Sequence, residues 1–274
     1  MIACHKPYDG YRDDVYTPIH VGRAISRFKE EMADMIGDDT GDNISNRNPY
    51  YSELTAQYWA WKNLHNVEYI GFCHYHRFFN FKVSNDNIDN IMKNHDVVLL
   101  NYQLHTLVEQ AILRPVDIED LIIFMMVLKK KYPDFEKTVI DYLWNIQVYP
   151  RNMLICKKSL FDEYASWIFD ILFECEKYIR HSPYNRGKRT FAYLGEFFMA
   201  VFMLHKKCRI KKAKYVEAID EKSNWNLLND LYGKLKLLYF KPLVRLEKPK
   251  YFEDYYFPEV LLGFKNDGIN PMEK

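Results

Sequence analysis

The chain has 274 residues, 48% hydrophobic and 27% charged, so it can bury a sizeable core and is not a disordered segment. Its 38 Lys and Arg against 37 Asp and Glu leave a net charge of +1, which argues against the basic field of a nucleic-acid binder. Five cysteines, none close to another in sequence, argue against a disulfide framework or zinc motif and fit reduced cytoplasmic thiols. The opening MIACHKPYDG lacks the charged-then-apolar pattern of a signal peptide. The longest strongly apolar run, Leu121–Leu128, is far short of the ~20 residues that span a bilayer. Any membrane contact is therefore expected from the surface.

Met1–His5 reads as a short buried strand ending at a Lys-Pro turn. Residues 6–47 are polar, rich in Asp, Gly and Asn, and read as a long loop region, either functional or disordered. Asn48-Pro49 looks like a helix start, with Asn as N-cap, and Tyr51, Leu54, Tyr58 and Trp61 follow at helical spacing up to Asn63–Asn66. Val67–Cys73 reads as a strand, Ser84–Asn94 as a short helix and Asp96–Asn101 as another strand. Residues 116–144 are expected to be helical with a break at Tyr132-Pro133, and Gln147–Lys157 a strand interrupted by Pro150-Arg151-Asn152. Ser159–Arg180 has a buried helical stripe and a capping-box pattern in Ser159 and Asp162. After a polar loop, Phe191–Leu204 reads as a strongly apolar helix, Cys208–Val216 as a last strand, and 224–238 as a short helix before an aromatic tail. Alternating strands and helices predict an α/β layered fold with a mostly parallel sheet. The expected division is a domain over 1–220 and a C-terminal tail over 221–274 packed on it.

In such a fold, ligands bind beyond the carboxyl ends of the strands. Four polar clusters fall there: His5-Lys6-Pro7-Tyr8; Asp38 to Asn48; His74-Tyr75-His76-Arg77; and Glu196. In the second, Arg47 and Asn48 stand at a helix N-terminus, whose free N–H groups and positive dipole end favour phosphate. Asp39 and Asp42 are suited to a hard cation or a ribose hydroxyl, and equally to an Asx-rich turn that caps the helix. His74 and His76 share one face of an extended chain, so both can reach one ligand, a transition metal or a diphosphate; satisfied structural histidines are the plainer reading. Arg77 suits a diphosphate through its planar fork, or a surface salt bridge. Glu196 stands among Phe191, Tyr193, Leu194, Phe197 and Phe198, where a partly desolvated carboxylate can serve as a general base. Basic runs over 206–214 and 234–250, the second interleaved with Leu, Tyr and Phe, suit an anionic bilayer or lipid diphosphate, or a solvated helix face.

These segments resemble a bacterial family found in capsule, exopolysaccharide and O-antigen gene clusters, first catalogued as a domain without a function and later associated with galactofuranosyl transfer. The carrying residues are His5–Tyr8, Asp38–Ser45 (DDTGDNIS), Glu53-Leu54-Thr55 with Tyr58–Asn63, and Tyr69–Arg77, with weaker matches at Asn152–Ile155 and around Glu196. His-Tyr-Arg-Arg is usual in that family where this chain has His74-Tyr75-His76-Arg77, so His76 is a departure. The order of elements is also similar to a GT-A glycosyltransferase. In that fold an acidic Asp-x-Asp metal motif is expected where His74-Tyr75-His76 falls. Either His74 with Asp39 or Asp42 holds a divalent cation, Mn or Mg, or Arg and Lys neutralise the diphosphate instead.

The resemblance implies a cytoplasmic enzyme at the inner face of the plasma membrane. It would use a UDP-sugar such as UDP-galactofuranose and a polyprenyl-diphosphate-linked oligosaccharide acceptor. Glu196 would be the base of a single displacement. His5, Lys6, Tyr8, Asp39, Asp42, Asn43, Arg47, Asn48, Tyr75 and Asn152 would bind the nucleotide sugar, and His74, His76 and Arg77 would stabilise the leaving diphosphate. Two other classes compete: a non-catalytic nucleotide- or carbohydrate-binding subunit, which would bind UDP without transfer, and a metal-dependent hydrolase, which would hold metal tightly.

Overall fold

In a computed structural model of the chain, residues 1–181, 188–217 and 248–272 are described. The chain forms two compact units, each built from separate stretches: one from Met1–Asn101, Tyr149–Trp167 and Lys206–Ser223, the other from Tyr102–Val148, Ile168–His205 and Asn224–Lys274. The expected boundary at 220/221, the helix near 224–238 and the basic run up to residue 247 lie outside the described residues.

Eleven strands are described: β1 Ile2–Cys4, β2 Pro18–His20, β3 Ile36–Gly37, β4 Tyr69–His74, β5 Arg77–Phe79, β6 Val97–Leu100, β7 Gln103–Leu104, β8 Gln147–Val148, β9 Leu154–Lys157, β10 Ile210–Ala213 and β11 Tyr215–Glu217. The first unit holds one sheet in the order β10-β6-β9-β4-β1-β2-β3, with β5 and β11 added beside β4. Along that row only β9 runs against the others, so the sheet is mostly parallel. β1, β2 and β6 are buried throughout, as strands covered on both faces must be. The helix Lys158–Cys175 opens beside this sheet, with the ring of Phe161 5.1 Å from that of Phe72.

The second unit is built on helices. Leu121–Leu128 is buried throughout within the helix Ile118–Lys131, which explains an apolar run that shows no exposed face. Phe124 meets Phe198 of the helix Thr190–His205 at 4.0 Å, and Phe135 stacks on His205 at 3.6 Å. Among the described residues no helix is long and apolar enough to cross a membrane.

Several elements differ from expectation. Residues 6–47 contribute β2, β3 and two short 3-10 turns; strands of two or three residues are too short to show alternation. The helix expected from Asn48 is two helices, α1 Asn48–Tyr51 and α2 Leu54–Asn63, broken at Ser52 with φ 49° and ψ −128°. The short helix expected over Ser84–Asn94 is reduced to Ile88–Met92. Gln147–Lys157 is two strands in different sheets, because Arg151 turns the chain with φ 68°. The strand expected over Cys208–Val216 is likewise two: β10 beside β6 and β11 beside β5. Ser159 lies inside its helix, and Asp162 pairs with Lys158 rather than closing a capping box.

Candidate functional site

Parallel strands deliver their carboxyl ends to one edge of the sheet in the first unit, and the reversed β9 brings its amino end there. Ala3 pairs with His74, Cys4 with His20, and His20 with Gly37. Continuing the β4–β9 register by two residues sets His74 opposite Asn152, and the β6–β9 register sets Asn101 there too. A polar row of His20, His5, His74, Asn152 and Asn101 thus follows from strand pairing alone.

The expected His74-Tyr75-His76-Arg77 cluster lies in this row, though not as an extended chain. β4 turns through Tyr75 and His76 into β5, with His74 paired to Arg77. The turn still brings the two histidine rings to 5.9 Å, Tyr75 to 4.6 Å from His76, and His5 edge-on to Tyr75 at 5.2 Å. Burial, with Arg77 and His74 adding to it, pushes His76 down to about 4. It is therefore a neutral ring near pH 7, and its Nδ1 is buried with no hydrogen-bond partner. Arg77 faces Glu217 of β11 at 3.2 Å, so its charge is partly matched. Of the residues after β1, Lys6 is exposed; the Tyr8 hydroxyl donates to the Tyr11 carbonyl at 2.8 Å, and burial pushes that phenol up to about 12.

The DDTGDNIS segment is a tightly bonded loop. Asp38 is fully buried and its carboxylate accepts the backbone N–H groups of Gly22 and Arg23, at 2.7 and 3.0 Å, and the Ser45 hydroxyl. Buried carboxylates need such partners. Asp39 faces Arg23 at 3.9 Å. Asp42 accepts the Tyr58 hydroxyl at 3.0 Å, and its backbone is clamped on both sides by Asn63. Asn43 closes a turn to Gly41 and Ser45. Gly41 has φ 57°, and a Cβ there would meet Asn63 Oδ1 at 1.9 Å, so only glycine fits.

Arg47 is half-buried at the end of a 3-10 turn directly before α1. Asn48 is not an N-cap: it lies inside α1, and its amide bridges the Ser52 carbonyl and Thr55, tying the two helices together. Asp39, Asp42, Asn43 and Asn48 therefore make bonds that shape the loop, whereas His5, His74, Tyr75, His76, Arg77 and Asn152 gather at the sheet edge. Among the described residues no three His, Cys, Asp or Glu side chains gather as a metal site needs, and one oxygen of the Asp42 carboxylate accepts the Tyr58 hydroxyl.

Sequence reasoning did not single out Glu53 and Gln57 as site residues. Asn152 is 2% exposed, and its amide nitrogen donates to Glu53 Oε1 at 2.9 Å. Gln57 donates to the Asn152 carbonyl at 3.3 Å. The residues just before this pair, Ser52 and Arg151, both have positive φ. Such non-glycine conformations cost of order 1–3 kcal/mol each and persist where the surroundings enforce them. No local composition marks this contact, because its partners are 99 residues apart.

Glu196 belongs to the second unit. Its helix starts at Thr190, so Glu196 stands in the second turn rather than at the head. Leu194, Gly195, Phe197 and Phe198 are buried around it. Arg189, Tyr193 and Glu196 share the helix face left partly open, with the Arg189 guanidinium 5.3 Å from the Tyr193 ring.

A cavity of about 660 Å³ opens in the first unit at the opposite edge of the sheet, between Tyr69, Lys157, Asp96 and Arg209. Arg209 and Lys206 on its wall are already paired with Asp96 and Glu163, so its charges are largely matched.

A family model described as a domain of unknown function, DUF4422, matches residues 1–207. The chain is also similar to a solved structure described as the apo form of WbbM, a bifunctional glycosyltransferase, with TM-score 0.73 and 25% identity. That match covers 82% of this chain and 46% of the other, so the chain spans less than half of that protein's length. No curated protein matches.

Proposed function

The chain belongs to the DUF4422 family, and from that membership and its likeness to a glycosyltransferase we propose that it transfers a sugar from a nucleotide donor to a glycan acceptor. The observation that carries this reading is the pairing of that likeness with a polar row at the carboxyl edge of a GT-A-like sheet, where nucleotide ligands of α/β folds bind. The donor we propose is a UDP-sugar, with UDP-galactofuranose the first to test, and the acceptor a polyprenyl-diphosphate-linked oligosaccharide reached from the inner membrane face.

In this reading the diphosphate lies against His5, His74, His76 and Arg77. His76, neutral near pH 7, would donate a hydrogen bond rather than supply charge. Arg77 would supply the positive charge, shared with Glu217. Stabilising the departing nucleoside diphosphate in this way lowers the barrier because charge develops there as the glycosidic bond breaks. By its place in the chain, Glu196 of the second unit is proposed as the general base for the acceptor hydroxyl. No step is routed through a metal.

The test is transfer assayed with UDP-galactofuranose for the wild type and Glu196→Gln. The variant is expected to lose about 100-fold or more in kcat while binding UDP normally. Normal turnover by Glu196→Gln would remove the base assignment. UDP binding by the wild type with neither transfer nor donor hydrolysis would identify a non-catalytic binding protein instead.

A further inference from the structure

We propose that Glu53 is the sugar-recognising carboxylate of this site, accepting hydrogen bonds from hydroxyl groups of the donor's sugar; this rests on the nucleotide-sugar reading above. His74 and Asn152 each lie two residues beyond the last β4–β9 pair, Phe72 with Leu154, and Asn152 ties Glu53 to this edge through the 2.9 Å bond from its amide. A carboxylate only accepts, so this bond fixes which way the Asn152 amide faces and pins Glu53 at the sheet edge. Ser52 with φ 49° and Arg151 with φ 68° immediately precede the two partners, and such strained backbone persists only where its surroundings enforce it.

Charge then decides what Glu53 contacts. The rest of the row is rich in nitrogen donors: His5, His74, His76 and Arg77. These suit phosphate oxygens, whereas a carboxylate repels them and accepts well from hydroxyls. Glu53 is half-buried at the start of α2. The histidines and Arg77 of the row thus fit the diphosphate, and the adjoining Glu53–Asn152 pair fits the sugar.

Calorimetric titration of the full chain with UDP-galactofuranose and with UDP, for the wild type and Glu53→Gln, tests this. The glutamine keeps an oxygen for the Asn152 amide and removes the charge. The expected result is a loss of about tenfold or more for UDP-galactofuranose with UDP affinity changed by no more than about twofold. Equal losses for both ligands, the mark of a merely structural role, would overturn the proposal, as would no change for either. A wild type that binds neither ligand would bring down the nucleotide-sugar reading and this inference together. A wild type that binds both, with Glu53→Gln indistinguishable from it, would bring down Glu53 alone. Should Glu53→Gln fold poorly, Glu53→Asp serves: it withdraws the charge by one methylene, and the same split between the two ligands is expected.

Discussion

Replacing Asp120 by Asn should stabilise the protein at neutral pH. Asp120 stands in the first turn of the helix Ile118–Lys131 and accepts the Thr190 hydroxyl at 2.8 Å. Burial foremost, with Asp117 and Glu119 adding to it against the Thr190 bond, pushes its carboxyl up from 3.8 to about 6. The folded state therefore holds this proton more tightly than the unfolded chain. The stabilising contribution is complete below about 3.8, falls as pH rises, and is gone above about 6. At pH 7 and above, folding must bury a charge that is free in the unfolded chain. Raising the carboxyl from 3.8 to about 6 corresponds to about 3 kcal/mol, and residual solvent at this half-open position brings it to about 2 kcal/mol. Asparagine keeps an oxygen for Thr190 and carries no charge. Thermal denaturation of the wild type and Asp120→Asn between pH 4 and 8 is the assay. The variant is expected to match the wild type near pH 4 and to gain roughly 5 °C in Tm by pH 7. A Tm difference independent of pH, or a variant less stable at pH 7, would refute the desolvation argument.

Asp38→Ala should destabilise by about 3 kcal/mol or more in denaturant unfolding, because it strands a buried N–H, a part-buried N–H and a buried hydroxyl; a loss under about 1 kcal/mol would mean water replaces the carboxylate. His76 should titrate by NMR with a midpoint near 4 rather than 6.5. Its folded pKa is depressed, so its contribution to stability is present above 6.5 and is lost as pH falls through about 4; a midpoint near 6.5 would place the ring in water.

The large apolar elements were legible in the sequence because their own composition encodes them. Val97–Leu100 and Leu121–Leu128 are purely hydrophobic and wholly buried, and Phe191–Met203 is buried except at Tyr193 and Glu196. Turn punctuation was equally readable: the break at Tyr132-Pro133 became a 3-10 turn between two helices. What local pattern could not supply was the destination of each short strand. Gln147–Lys157 reads as one interrupted strand, yet the left-handed Arg151 sends its halves into different sheets.

The same division runs through the site. The position of His74, His76 and Arg77 beyond the carboxyl end of β4 was legible because polar residues directly follow a buried strand. The DDTGDNIS segment was visible as a polar motif, but only the folded chain assigns its carboxylates: Asp38 to backbone N–H groups and Asp42 to Tyr58. Residue type specifies what a side chain can bond to, while partner choice depends on what the chain brings within 3 Å of it. Glu53 and Asn152 show the limit most clearly. Nothing around either residue hints at the other, and their meeting depends on β9 running against its neighbours, a matter of strand order that no local stretch of sequence contains.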